Sequence, residues 1–290
     1  MTNPYITPAR VRAALQSLEL RPTRGMGQNF LVDPQALSTI VEAADIQPDD
    51  VVLEIGPGLG VLTWELVERA AQVVAVELDK RLAARLQQEF AAQPRLHIVQ
   101  GDVLDLLPEQ VLAEATGELP PYKVVANLPY AITSPVLRHL LEAAHRPRMI
   151  VVLVQWEVAQ RIAARPGDLS VLAHSVQIYA EPEIVARVPA SSFVPAPAVD
   201  SAVLRLRVRR QPAAVPGDID GLMRIIKAGF LHARKKLSNA LPSGLASFGM
   251  PFDKGQVIDA MLAAGISPDR RAETVTLEEW AALYQQLHSQ

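Results

Sequence analysis

Val51-Val52-Leu53-Glu54-Ile55-Gly56-Pro57-Gly58-Leu59-Gly60 decides the fold. An apolar run broken only by Glu54 passes directly into a glycine-rich turn, and a helical pattern from Val61 to about Arg69 follows. A short continuous apolar run bounded by turn residues reads as a strand buried on both faces of a parallel sheet. Working outward, the same unit recurs. Val73–Val76 is a second strand ending at Glu77-Leu78-Asp79, with a helix to about Phe90. Leu96–Val99 ends at Gly101-Asp102, Val124–Ala126 ends at Asn127-Leu128-Pro129-Tyr130, and Met149–Val154 is a long apolar fifth strand. Ile184–Val188 and Ala202–Val208 complete seven. Strands alternating with helices predict an α/β fold with a doubly wound, mostly parallel, Rossmann-like seven-stranded sheet.

The ends of the chain are helical. Thr7-Pro8 and Asp33-Pro34 are N-cap and N1 pairs opening helices to about Leu18 and Ala44. A helical stretch over Ser170–Tyr179 precedes the sixth strand. Gln211–Gly217, rich in Pro and Ala, reads as a linker. Helices over Ile219–Leu231, after Lys236, over Lys254–Ala264 and over Leu277–Leu287 follow. The expected domains are therefore 1–210, carrying the sheet and a basic N-terminal arm, and 211–290, a smaller C-terminal all-helical domain.

Composition excludes several chemistries. With no cysteine, disulfides, cysteine metal sites and cysteine nucleophiles drop out, and six scattered histidines give no metal spacing, so no metal is expected. No 18-residue apolar run and no signal-type N-terminus is present, so a cytoplasmic protein without a membrane span is expected. The net charge is −3, but residues 201–290 hold 12 Lys+Arg against 8 Asp+Glu, leaving 16 against 23 for the first 200. Basic charge gathered at the C-terminal end is the place for a nucleic-acid face.

The glycines at 56, 58 and 60 match neither the dinucleotide spacing GxGxxG nor a P-loop. A loop that follows a strand but lacks a phosphate cradle suits a nucleoside cofactor without pyrophosphate, such as S-adenosylmethionine. Glu77, 21 residues after Gly56 at a strand end, has the spacing of a ribose-binding carboxylate. Asp102 ends the next strand, where it either accepts from the cofactor's adenine amino group or simply forms a Gly-Asp turn. Asn127-Leu128-Pro129-Tyr130 suits the grip of an exocyclic amino group. The Asn127 side-chain oxygen and the Leu128 carbonyl can accept both hydrogens of adenine N6, drawing its lone pair out of the ring, while Tyr130 stacks on the base. On this reading Asn127→Asp keeps an acceptor and partial activity, and Tyr130→Phe, which keeps the ring, costs less than Tyr130→Ala.

Four successive strand ends thus carry a glycine loop, Glu, Asp and Asn-Leu-Pro-Tyr. Together with Gly27-Gln28-Asn29-Phe30-Leu31, Phe193-Val194-Pro195-Ala196-Pro197, Val199-Asp200-Ser201 and Arg234-Lys235-Lys236-Leu237-Ser238-Asn239-Ala240-Leu241, the chain resembles the ribosomal RNA adenine N6-dimethyltransferases. It is most similar to the type acting on small-subunit (16S) RNA. The resemblance implies a class I methyltransferase that adds methyls to N6 of adenosines, with S-adenosylmethionine as donor, the small ribosomal subunit precursor as partner and a monomeric state. It implies cofactor contacts from Gln28, Asn29, Leu31, Gly56, Gly58, Glu77, Asp102, Val103 and Asn127, with catalysis by Asn127 and Leu128. Tyr130 and Phe193 would sandwich the adenine. RNA contacts are expected from Arg21, Arg24, Arg205, Arg207, Arg234, Lys235 and Lys236; for Arg205 and Arg207 the solvent face of an alternating strand is an equal reading. The chain departs from the family at Ala131, where many relatives carry Asn, and in a less basic lead before Gly27. The alternatives are the large-subunit RNA methyltransferases of the antibiotic-resistance group and a ribosome-assembly binding factor. Leu128 and Lys236-Leu237-Ser238-Asn239 favour the small-subunit type. A DNA adenine methyltransferase lacks support because no large recognition domain is present, and a nicotinamide dehydrogenase because of the glycine spacing.

Overall fold

The structure is a computed structural model that describes residues 3–20, 29–213, 218–250 and 252–288. In chain order the elements are α1 (Pro8–Ser17), β1 (Phe30–Leu31), α2 (Pro34–Ala44), β2 (Val51–Ile55), α3 (Val61–Val67), β3 (Gln72–Glu77), α4 (Lys80–Glu89), β4 (Leu96–Gln100) and α5 (Pro108–Thr116). Then come β5 (Tyr122–Asn127), α6 (Thr133–Glu142), β6 (Met149–Gln155), α7 (Trp156–Ile162), α8 (Val171–Gln177), β7 (Ala180–Val188), β8 (Phe193–Val194) and β9 (Ser201–Val208). Four helices end the chain: α9 (Ile219–Phe230), α10 (Leu237–Ser247), α11 (Lys254–Ala263) and α12 (Leu277–His288).

The chain divides into two compact units, Met1–Ala159 with Pro182–Val208, and Gln160–Glu181 with Arg209–Gln290. This partition differs from a cut at 210/211: residues 160–181, carrying α8, group with the C-terminal helices rather than with the sheet.

The seven-stranded sheet of the first unit has the order β4-β3-β2-β5-β6-β9-β7. Strands β2 to β6 are parallel to one another and β9 runs antiparallel to β6. Every residue of β2, Glu54 included, is buried, as expected of a strand covered on both faces. The chain proceeds from β2 through β3 to β4 on one side, then returns to place β5 on the other side of β2. That reversal opens a crevice at the carboxyl ends of β2 and β5, where ligands of open α/β sheets bind. Helix starts are set locally. The Asp33 carboxylate accepts from the Gln35 and Ala36 amides at α2, and Asp79 accepts from Arg81 and Leu82 at α4.

In the second unit α9 and α10 lie in close contact. An ideal Cβ on Gly244 would stand 2.1 Å from the Ala228 carbonyl oxygen, so only hydrogen fits there. Trp280 of α12 is fully buried, with His174 of α8 beside it and beside Phe230. His174 is 0 % exposed and neither ring nitrogen has a hydrogen-bond partner among the described residues. Burial lowers its pKa to about 4, so it is neutral in the fold.

Candidate active site

Parallel register brings the chemistry together. Ile55 lies opposite Val76 of β3 on one side and Ala126 of β5 on the other. The next residues along, Gly56, Glu77 and Asn127, therefore reach one sheet edge. A cavity there is lined by Asn29, Phe30, Leu31, Glu54, the loop from Gly56 to Leu59, Val61, Leu62, Glu77, Leu82 and Asn127 through Tyr130.

The glycine loop turns sharply, with φ of 66° at Gly56, 59° at Gly58 and 85° at Gly60. These left-handed values are open to glycine and strained for other residues. The Gly58 amide donates to Glu77 Oε2 at 2.9 Å, and the Asp79 amide donates to Oε1 at 2.9 Å. Burial pushes the Glu77 carboxyl up, and these amides oppose that shift. The loop thus holds the carboxylate at the cavity wall, and each oxygen keeps a lone pair for a ligand hydroxyl.

Asn127 is fixed by a contact that the sequence does not reveal. Its Nδ2 donates to the Asn29 carbonyl at 3.0 Å. The amide nitrogen is thereby committed, and Oδ1 is the acceptor left over. No donor among the described residues is bonded to the Leu128 carbonyl. Tyr130, half-buried in the short 3-10 turn after Pro129, puts its hydroxyl 2.7 Å from Ser201 Oγ. Burial raises its pKa, with the Ser201 bond acting against that rise.

Glu54 is the cavity residue that sequence reasoning missed. It is 1 % exposed, accepts a 2.7 Å bond from the Thr63 hydroxyl on Oε2, and has no partner for Oε1 among the described residues. Burial, with the Glu77 charge adding to it, raises its pKa to about 8. The available signal was a carboxylate interrupting an otherwise apolar strand just before the glycine loop.

Asn29, Leu31, Gly56, Gly58, Glu77, Asn127, Leu128 and Tyr130 meet at this cavity; three other expected residues do not line it. Phe193 is 3 % exposed and belongs to the core with Leu31, Leu37 and Ile40. Antiparallel pairing of β8 with β1 sets Phe193 opposite Leu31, and the expected sandwich partner lies in this core cluster rather than on the cavity lining. Asp102 accepts from the Leu104 amide at 2.9 Å, the turn reading of Gly-Asp, and Val103 is buried away from the cavity wall. Gln28, Arg21 and Arg24 lie outside the described residues.

The basic residues divide in the same way. Arg205 and Arg207 both pair with Glu183, at 2.7 Å and 2.9 Å, and Arg205 also donates to the Ala43 carbonyl. They are cross-strand ion pairs, with Arg205 partly buried and Arg207 exposed. In the second unit Lys236 stands at the N-terminus of α10 without a side-chain capping bond and pairs with Asp269 at 2.8 Å, while Arg234 and Lys235 are exposed.

Comparison with known proteins agrees with this geometry. The sequence profile described as Ribosomal RNA adenine dimethylase matches residues 21–288. The Ribosomal RNA small subunit methyltransferase A of Moorella thermoacetica is 44% identical over 283 residues, covering 96% of this chain and 96% of that protein. The protein of the same name from Dehalococcoides mccartyi is 44% identical over 276 residues, covering 95% and 91%. Among solved structures, the 23S rRNA methyltransferase ErmE superposes with a TM-score of 0.68 at 31% identity, covering 90% of this chain and 100% of that one. A dimethyladenosine transferase from Plasmodium falciparum gives a TM-score of 0.75 over 90% and 98%; at 24% identity it speaks for the fold. The class I methyltransferase sheet, the strand-end cavity and these matches together show that the chain belongs to the ribosomal RNA adenine dimethylase family.

Proposed function

We propose that the chain uses S-adenosylmethionine to dimethylate N6 of adenosines in small-subunit (16S) ribosomal RNA during ribosome maturation. One observation carries the reading: Asn127, the Leu128 carbonyl and Tyr130 share a single cavity with Glu77 and the glycine loop. The names of the 44%-identical relatives support the small subunit as substrate. The large-subunit alternative has a solved relative at 31% identity and is the weaker reading.

The residues present fit the cofactor. An ideal Cβ on Gly58 would stand 3.1 Å from the Phe30 ring, so the loop packs against the cavity wall only as glycine. The buried Glu54 Oε1 has no hydrogen-bond partner among the described residues, and a polar ligand atom in the cavity would supply one. Glu77 would hold ribose hydroxyls, and Asn29, Leu31, Gly56 and Gly58 would line the remainder. When bound, the cofactor supplies an electrophilic methyl group on a sulfonium.

The chain's own residues prepare the nucleophile. Asn127 Oδ1 and the Leu128 carbonyl accept the two N6 hydrogens and weaken delocalisation of the nitrogen lone pair into the ring. Tyr130 holds the base face. Asn127 does not titrate, so the N6 proton leaves to solvent and catalysis rests on orientation. Arg234 and Lys235 are candidate phosphate contacts, and such binding falls with salt. The reading carries a bacterial cytoplasmic location and a monomeric state with it; no helix among the described residues is long and apolar enough to cross a membrane.

The test is methyl transfer from labelled S-adenosylmethionine to unmodified small and large ribosomal subunits, followed by digestion and mass analysis of the adenosines. Dimethyladenosine confined to small-subunit RNA is expected. Label in large-subunit RNA alone overturns the substrate, and no label in either overturns the reaction.

A further inference from the structure

We propose that Ser201 is a positioning residue for methyl transfer: its buried hydroxyl pins the Tyr130 ring as a fixed wall of the base pocket. The inference rests on the proposed stacking role of Tyr130 and adds a second residue to it.

Ser201 is 0 % exposed and opens β9, in register with Gln155, the last residue of β6. Its backbone is tied on the preceding side as well. The Trp156 amide donates to the Asp200 carbonyl at 3.0 Å. The Asp200 carboxylate accepts from the Ala190 amide and from Arg187 Nε, each at 2.9 Å, and the Arg187 guanidinium lies 5.0 Å from the centre of the Trp156 ring. Ser201 is thus a post held by sheet register and by a polar cluster.

The other end of the contact needs such a post. Tyr130 sits in a three-residue 3-10 turn, and its preceding residue, Pro129, has φ of −56°. That fixes the backbone but leaves rotation about χ1, which sweeps the hydroxyl through several ångströms. The 2.7 Å bond to Ser201 removes that freedom. It also commits the Tyr130 hydroxyl to the protein, so the base meets the ring and not the hydroxyl. A ring fixed at both ends holds a stacked base at one height, and N6 then stays within reach of Asn127 Oδ1 and the Leu128 carbonyl. A misplacement of about 1 Å in such a site can cost about a hundredfold in rate. The sequence reading placed the weight of the contact on the Tyr130 ring; the inference adds a role for its hydroxyl.

The experiment compares methyl-transfer kinetics of the full chain with Ser201→Ala, Tyr130→Phe, the double substitution, Ser201→Thr and Tyr130→Ala, each with a thermal melt. Ser201→Ala and Tyr130→Phe should each lower kcat by about tenfold, the scale of one hydrogen bond. The KM for RNA, set largely by phosphate contacts, should stay within about twofold. The double substitution should be no slower than either single one, because each removes the same pin. Ser201→Thr, which keeps the hydroxyl, should recover kcat; if its extra methyl prevents folding, the double-mutant comparison decides alone. The melts separate positioning from general damage. Tyr130→Phe orphans a buried Ser201 hydroxyl whereas Ser201→Ala orphans nothing fully buried, so equal kcat losses with unequal melting shifts support the pin. Multiplying losses in the double substitution, or kcat losses that follow the melting shifts, overturn it. So does wild-type kcat in both single substitutions while Tyr130→Ala is impaired. A fully active Tyr130→Ala overturns the stacking reading itself.

Discussion

Asn127→Asp is the substitution for which sequence and structure forecast different outcomes. From the sequence, an aspartate keeps an acceptor for N6 and retains partial activity. In the structure, Asn127 Nδ2 donates to the Asn29 carbonyl at 3.0 Å. A carboxylate would set an anionic oxygen against that carbonyl oxygen. The lost bond costs about 1 kcal/mol. Repulsion between two half-charges 3 Å apart adds about 1.4 kcal/mol at an effective dielectric constant of about 20. The total of about 2–3 kcal/mol corresponds to a loss of about thirty- to a hundredfold if the site opens to avoid the contact. Protonation relieves it, since a neutral carboxyl donates its O–H to Asn29 and still presents a carbonyl oxygen to N6. The variant's activity relative to wild type should therefore rise as pH falls from 8.5 to 5.5, and taking the ratio at each pH cancels the titration of Glu54 and Glu77. Asn127→Ala, with no group to protonate, should be inactive and flat across the same range. The assay is initial-rate methyl transfer to small ribosomal subunits. An Asn127→Asp variant with near wild-type activity at pH 8 and no relative gain on acidification would refute the Asn29 clamp.

Three further outcomes follow from buried groups. Glu54 ionises at about 8 in the fold against about 4.5 in the unfolded chain. Between those values the folded state holds a proton that the unfolded state lacks, so stability falls as pH rises through the window. Glu54→Gln removes this penalty. Denaturant titrations of the ligand-free protein should show it matching wild type at pH 4 and exceeding it by a few kcal/mol at pH 8.5, and equal stability at pH 8.5 would count against the buried, unpaired carboxyl. His174 has the opposite sign: with a folded pKa of about 4 against 6.5 unfolded, stability is fully present above 6.5 and is lost as pH falls toward 4. That loss amounts to about 3 kcal/mol, and in acid titrations His174→Leu should lack it; an unchanged acid slope would contradict the assignment. Gly244→Ala sets a methyl 2.1 Å from the Ala228 carbonyl oxygen, where backbone must move. A loss of about 3 kcal/mol is expected, the upper end for overpacking because the clash is with backbone, and a wild-type unfolding midpoint would show that α9 and α10 can separate freely.

Much of the fold is written in local pattern. The apolar runs of β2, β5 and β6, the cap pair Asp33-Pro34, and the glycines at 56, 58 and 60 act over a few residues. Propensity and period therefore reveal them. The same holds for Glu77 and Asn127, because parallel strands in register bring residues at strand ends to one edge. What stayed hidden depends on contacts distant in sequence. Phe193 belongs to a motif that implies a base-stacking ring, yet pairing of β8 with β1 gives that ring to the core. Arg205 and Arg207 read equally as RNA contacts or a solvent face until Glu183 comes beside them. Residues 160–181 lie between strands in sequence but pack with the C-terminal helices. The roles of Glu54, Asn29 and Ser201 rest on a missing partner, a backbone carbonyl and a hydroxyl contact across 71 residues.

The sheet, the glycine-rich turn and the residue types at each strand end are legible in the chain alone, because they follow from short-range sterics and period. The tertiary structure alone decided how the Asn127 amide is oriented, which carboxyl stays protonated and which rings face the cavity. Hydrogen-bond satisfaction and burial depend on neighbours that only the folded chain brings together.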